Sequence, residues 1–216
     1  MTPAADPRRR VVVATRNRGK LREILRLLAD AGVSFELVTI DELAPDAELP
    51  EDEATFEGNA LSKARAAATV TGLPAIADDS GLEVDALDGA PGVWSARYAG
   101  LPSDDGRNNA KLLAALEGVG VGVGVGPERR RGRFRCVAAF VDPDRHLELT
   151  RAGAVEGEIL SAPRGDQGFG YDPLFLLPDR GRTMAELGLE EKNAVSHRAA
   201  AFKALALALA LADVGA

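Results

Sequence analysis

The sequence predicts an α/β protein with a mixed central sheet flanked by helices. Two observations lead there. Strand-like and helix-like segments alternate over the first half of the chain, the pattern of parallel strands joined by crossover helices. Farther on, strand-like runs over 133–141 and 147–155 flank Asp142-Pro143-Asp144, the pattern of an antiparallel hairpin. A chain of 216 residues suits one domain, or one domain with two lobes around a cleft. We expect a flexible tail over 1–9 and a single domain over 10–213.

Each element has its own signal. Val11–Ala14 reads as a buried strand, Thr15–Gly19 as a polar turn, and Lys20–Ala31 as a helix with Leu21, Ile24, Leu25 and Leu28 at helical spacing. A tight turn from strand to helix points backbone N–H groups at an anion. Phe35–Ile40 is a second strand, and the acidic, proline-punctuated stretch Asp41–Glu53 a loop. A helix over Phe56–Thr71 stops at Gly72-Leu73-Pro74. A short strand, Ala75–Ala77, runs into Asp78-Asp79-Ser80-Gly81, and 82–102, rich in Gly, Pro and Ala, reads mostly as loop. Asp104–Leu116 is helical. Gly118–Gly126 alternates Gly and Val, and glycine at every second position weakens a strand, so 118–128 is expected to be a flexible loop. After the hairpin come a strand at Leu174–Leu177 and a last helix from Ser196 to Ala212.

Composition narrows the function. The net charge of −7 argues against a general nucleic-acid binder. An anionic small substrate would need locally placed cations or a metal ion. The single cysteine, Cys136, excludes an intramolecular disulfide and a cysteine metal cluster, and fits a reducing cytoplasm. Val11–Ala14, after three arginines, is too short for a signal peptide, and Ala204–Ala212 too short to span a bilayer. The expectation is a cytoplasmic protein with no membrane partner.

Five motifs carry candidate chemistry. Thr15-Arg16-Asn17-Arg18-Gly19-Lys20 lacks Walker A spacing but has the parts of a phosphate cradle: hydroxyl and amide donors, a glycine, and a lysine at the helix start. It also reads as a helix capped by Asn17 with solvated arginines. Asn59 and Lys63, four apart, share a helix face that can reach into a cleft, although an exposed lysine fits as well. Glu51, in the acidic loop, is a candidate metal ligand or a solvated loop charge. Asp78 and Asp79 follow an apolar strand, where adjacent residues face opposite ways, so they should not act as one clamp. Mg²⁺ takes one or two carboxylates with phosphate oxygens and water, and the alternative is an Asx turn. In Gly168-Phe169-Gly170-Tyr171-Asp172, Phe169 can stack on a purine and Asp172 can accept from base N–H groups; a tight turn with a core aromatic is the plainer reading. Ser196 is a candidate N-cap that puts His197 and Arg198 in a first helical turn, where the helix dipole does not favour cations, and with Lys192 they supply donors for keto oxygens and phosphates. A surface His-Arg pair is the alternative.

Together and in this order, the segments ATRNRGK, TFEGNALSKA, PAIADDSGLEVDALDGAPGVWSARYAG, GFGYDP and EEKNAVSHRAAA resemble the inosine triphosphate pyrophosphatase family, also called dITP/XTP pyrophosphatases or non-canonical purine NTP pyrophosphatases. The resemblance runs from Val11 to about Leu209. It implies an elongated two-lobed α/β fold with the substrate cleft between the lobes, usually as a homodimer. It implies hydrolysis of ITP, dITP and XTP to the monophosphate and pyrophosphate with Mg²⁺. By position, Thr15, Arg16, Asn17, Arg18, Gly19 and Lys20 would bind the triphosphate with Lys63. Asp79 would be general base and metal ligand, Glu51 a second metal ligand, and Ser80 a substrate contact. Phe169, Gly170, Tyr171, Asp172, Lys192, His197 and Arg198 would hold the base. Gly58 departs from relatives that carry an acidic residue there, so no metal role is expected at that position. Competing readings are a pyrophosphatase for pyrimidine or other modified nucleotides, and a nucleotide-binding module without turnover.

Overall fold

The computed structural model describes residues 9–119 and 130–214. The expected tail, apart from Arg9, and the expected Gly/Val loop beyond Val119 lie outside them. Seven strands form one sheet in the order β2-β1-β3-β4-β5-β6-β7. Strands β1 (Arg9–Val13), β2 (Phe35–Thr39) and β3 (Ala75–Val84) are parallel neighbours. Strands β4 (Arg131–Asp142), β5 (Leu147–Ile159), β6 (Phe175–Leu177) and β7 (Arg182–Thr183) continue antiparallel from β3. The sheet is therefore mixed, as the alternation and the hairpin predict. Arg9 already belongs to β1 and not to a tail.

The helices cover the two faces unequally. Helix α1 (Arg18–Asp30) starts two residues before the sequence suggests, capped by Asn17, whose side chain accepts from the Lys20 N–H. Its Ile24, Leu27 and Leu28 pack with Phe202, Leu205 and Leu209 of α6 (His197–Val214) on one face. A short helix, α2 (Ile40–Leu43), opens the acidic stretch that the sequence suggests is all loop. Helix α3 (Phe56–Thr71) covers the other face, and its Ala60, Ala64, Ala67 and Ala68 form a small-residue stripe against Ala75, Ala77, Val137 and Ala139. Thr55 caps its start, and Gly72 at φ +67° closes its end in the left-handed region that suits glycine. Helix α4 (Asp105–Ala115) follows the cap Asp104, and α5 (Leu189–Val195) leads into α6. The sequence gives no warning of α5.

The largest departure from expectation is β3. It does not end at Ala77 but runs on through Asp78-Asp79-Ser80-Gly81 to Val84, paired with β4 along its full length. Residues 85–87 and 92–97, expected as loop, form 3-10 turns. Gly81 reads as a turn residue in the sequence. Its actual role is close approach: a Cβ there would run into the Gly92 carbonyl and the Ser95 hydroxyl.

This topology creates the cleft. From β1 the chain crosses through α1 to β2 on one side, and through α3 it returns to β3 on the other. Open α/β sheets bind ligands at such switch points, beyond the carboxyl ends of the strands. Strand β1 pairs with β3 only at Ala75 and Ile76, so β3 continues past it with that edge open toward the 14–20 turn. A further core, with Leu82, Phe134, Tyr171 and Phe175, surrounds the far end of β3 and β4. One sheet thus runs through three core clusters within a single domain. Among the described residues, no single helix is long and apolar enough to cross a membrane.

Candidate active site

Strand alternation separates the acidic pair as expected. Asp79 faces α3, where its Oδ1 accepts from Lys63 at 3.1 Å and its Oδ2 from Asn59 Nδ2 at 3.0 Å. Asn59 and Lys63 reach it together because they lie one turn apart on α3. Lys63 Nζ also lies 2.5 Å from Glu51 Oε1, so one buried ammonium joins both carboxylates. Burial pulls the Lys63 pKa down, but Asp79 and Glu51 outweigh it and hold the lysine charged. Burial likewise raises Glu51, and Lys63, Lys20 and Arg97 reverse the effect to leave it below its ordinary value.

Asp78 faces the opposite way, toward α1 and α6. The sequence does not name its partners; they are Arg198 Nε at 3.2 Å and Lys20 Nζ at 3.4 Å, and Cys136 Sγ donates to the same oxygen at 3.7 Å. Despite complete burial, Lys20 and Arg198 hold its carboxyl far below the usual carboxylate range. Arg198 continues the network through Nη2 to Ser80 Oγ at 2.7 Å and through Nη1 to Glu23. Glu23 Oε1 meets Lys192 Nζ at 2.8 Å, and Lys192 meets Asp172 Oδ2 at 2.5 Å. Glu23 was missed by sequence reasoning. It sits between apolar positions of an amphipathic helix, and nothing local marks it as buried.

Asp172 also accepts from the Phe169 N–H at 2.9 Å, which fixes the 168–172 loop onto Lys192. Its carboxyl is pushed up by burial, only partly offset by Lys192. The loop is clamped elsewhere too. Asp105 accepts from the Gly170 N–H, Asn109 donates to the Gly170 carbonyl, and the Tyr171 hydroxyl donates to the Ser95 carbonyl at 2.9 Å. Lys192 Nζ lies 4.6 Å from the Phe169 ring centroid and Arg198 Cζ 5.7 Å. Gly19 leaves room for the same ring, because a Cβ there would fall 2.5 Å from Phe169 Cδ1. His197 is buried, stacks on Phe134 at 4.9 Å, and has no partner at Nδ1. Burial and the charges of Arg198 and Lys192 hold it neutral, well below its ordinary pKa.

A cleft of about 120 Å³ joins these groups. Asn17, Lys20, Glu51, Asp79, Ser80, Phe169, Gly170, Tyr171, Asp172, Lys192, His197 and Arg198, all expected from sequence, line it. Thr15, Arg16, Arg18, Gly19 and Lys63, also expected from sequence, do not line it. Arg16 donates to the Pro45 and Ala47 carbonyls at 2.6 and 2.7 Å and pairs with Asp41, so it straps the acidic loop instead of facing the cleft. Arg18 is exposed on the first turn of α1 and is not among the cleft residues. Thr15 is buried, with its Oγ1 accepting from the Asn17 N–H.

The family model described as "Ham1 family" matches residues 11–208. The chain belongs to the Ham1 family. Among Ham1-related proteins, one from Geobacter sulfurreducens named dITP/XTP pyrophosphatase is 54% identical over 198 residues, covering 92% of this chain and 94% of its own. One of the same name from Desulforamulus reducens is 50% identical over 194 residues, covering 90% and 92%. The HAM1 protein structure from Coxiella burnetii superposes with a TM-score of 0.81 at 42% identity, covering 94% of this chain and 98% of that one. The Staphylococcus aureus Ham1 structure gives 0.79 at 40% identity, covering 93% and 98%. The mixed sheet with flanking helices described above is thus the fold of these Ham1 structures.

Proposed function

We propose that the protein hydrolyses non-canonical purine nucleoside triphosphates, dITP, XTP and ITP, to the monophosphate and pyrophosphate. The relatives' shared name supports the reaction. The observation that carries the reading is the joining, in one cleft, of an acidic end around Asp79 and a donor end around Lys192. Such house-cleaning of the nucleotide pool fits a cytoplasmic enzyme. We take the active form to be a homodimer, as the sequence resemblance implies.

Among the side chains lining the cleft, the cations Lys20, Lys192 and Arg198 are outnumbered by the carboxylates Glu51, Asp79, Asp105 and Asp172. A triphosphate therefore needs further positive charge to enter. Asp79 and Glu51 fit a hard cation such as Mg²⁺: both are oxygen donors lining the cleft, and Mg²⁺ needs only one or two carboxylates beside phosphate and water. Bound there, it would neutralise phosphate charge and lower the pKa of water.

The chain's own groups divide the remaining work. A carboxylate has about four lone-pair sites, and Asp79 uses one on Lys63 and one on Asn59. Free capacity remains to accept a proton from the water that attacks the α-phosphorus. Lys20 and Lys63 spread positive charge over the departing pyrophosphate. At the other end, the Lys192 ammonium has three N–H donors, and two meet Glu23 and Asp172. The third is available to the 6-keto oxygen of hypoxanthine or xanthine, with Phe169 stacking on the ring. Adenine would bring an amino donor against a buried cation, a mismatch that can discriminate by roughly 10⁴-fold. A panel of dITP, XTP, dGTP, dATP and dCTP with pyrophosphate detection tests the reading. Preference for dITP and XTP is expected; equal turnover of dATP would overturn it.

A further inference from the structure

Glu51 sits on a loop with its side chain 38% exposed, so burial alone does not hold it. Two cations divide it. Lys63 takes Oε1 at 2.5 Å from below, and Arg97 approaches Oε2 with Nη1 at 3.6 Å. Arg97 also donates through Nη2 to the backbone carbonyl of Glu51 itself at 2.6 Å. The second contact matters more, because it pins the chain at the residue and not only the mobile end of its side chain. The guanidinium carbon lies 4.5 Å from the ring centroid of Trp94, the sole tryptophan.

We propose that Arg97 is a positioning residue: by gripping the Glu51 backbone and carboxylate together, it holds the second metal-binding carboxylate in place for the reaction. This rests on the reading of Glu51 as a metal ligand. Lys63 cannot do the same alone, because it is shared with Asp79 and meets only the side chain of Glu51. The turn over 92–97 that carries Arg97 is anchored at the base end, where Ser95 accepts from Tyr171 through its carbonyl and takes the Leu82 N–H on its hydroxyl. A single turn therefore ties the loop under the base to the loop carrying Glu51. Groups that orient a ligand from behind typically contribute 10–100-fold in metal affinity.

The test uses the full chain and reads metal binding directly. Mn²⁺, a hard divalent probe, is titrated by the electron paramagnetic resonance signal of the free ion. Each titration is run without nucleotide and again with a methylene α,β-bridged deoxyinosine triphosphate, which is not turned over, against a protein-free control that subtracts chelation by the nucleotide itself. Arg97→Ala and Arg97→Gln should weaken Mn²⁺ binding ~10-fold or more, with Arg97→Lys recovering part of the loss. Glu51→Gln is the reference and should weaken it at least as much. If Glu51→Gln weakens binding and the Arg97 variants do not, Arg97 has no positioning role and the Glu51 assignment stands. If Glu51→Gln leaves binding unchanged, Glu51 is not a ligand and the role of Arg97 falls with it. Melting temperatures taken alongside show whether each variant is folded.

Discussion

At the acidic end of the cleft, Asp79 and Glu51 share one lysine, and Glu51 stays partly open to solvent. At the base end, Glu23 lies between Lys192 and Arg198, Asp172 and Asp78 flank the same two cations, and all five are buried. The first arrangement leaves oxygen lone pairs free and suits groups that must take up a metal ion and a proton. The second fixes donors in rigid positions at the cost of desolvating them, which suits reading a base edge. A buried ion network adds little net stability, yet removing one member leaves the others uncompensated. On the proposed roles, chemistry and recognition use the same residue types with opposite degrees of freedom.

The difference can be broken from either side. The largest effect belongs to Asp79→Asn, which should lower turnover by about 10²–10⁴-fold, the usual contribution of a general base, while Lys63 keeps Glu51 as partner and the melting temperature stays close to wild type. Near wild-type pyrophosphate release would remove Asp79 from its role. Glu23→Gln should act on stability instead, costing about 3–5 kcal/mol in urea unfolding, because Lys192 and Arg198 lose their common carboxylate. Glu51→Gln, half-exposed, should cost far less. Equal losses in the two variants would erase the distinction between the ends.

A smaller effect separates them by pH. The His197 pKa is lowered in the fold by burial and by Arg198 and Lys192, whereas in the unfolded chain it titrates near 6.5. Below that pH the unfolded state takes up a proton that the folded state refuses, so stability present above pH 6.5 declines as pH falls. The contribution is about 1.4 kcal/mol per pH unit. Glu23 and Asp78 act in the same direction only at lower pH, because their unfolded values are near 4. His197→Phe keeps a ring against Phe134 and should flatten the stability slope between pH 6.5 and 5. An unchanged slope would mean that His197 is not held neutral.

Contiguous strings made most of the site legible. Lys20, Asp79, Phe169, Lys192 and Arg198 each stand inside a short motif, and strand alternation alone separates Asp79 from Asp78. What escaped depends on distant chain. Glu23 meets Arg198 across 175 positions, and only the docking of α5 and α6 on α1 buries it. The continuation of β3 was hidden by Ser80-Gly81, which looks like a turn until the 92–97 segment comes to lie against Gly81. Arg16 shared its motif with true cleft residues but faces the loop at Pro45 and Ala47, a direction that motif membership does not encode. The parallel half of the sheet and the hairpin followed from local pattern because their signals are local.

The most direct test of a cleft divided between cutting and reading is nucleotide binding by Asp79→Asn, measured by calorimetry with dITP and dATP in Mg²⁺. Tight binding of dITP with strong preference over dATP, and no pyrophosphate released, is the result expected if recognition resides at the Lys192 end. Loss of that preference together with turnover would show that the two ends are not separate.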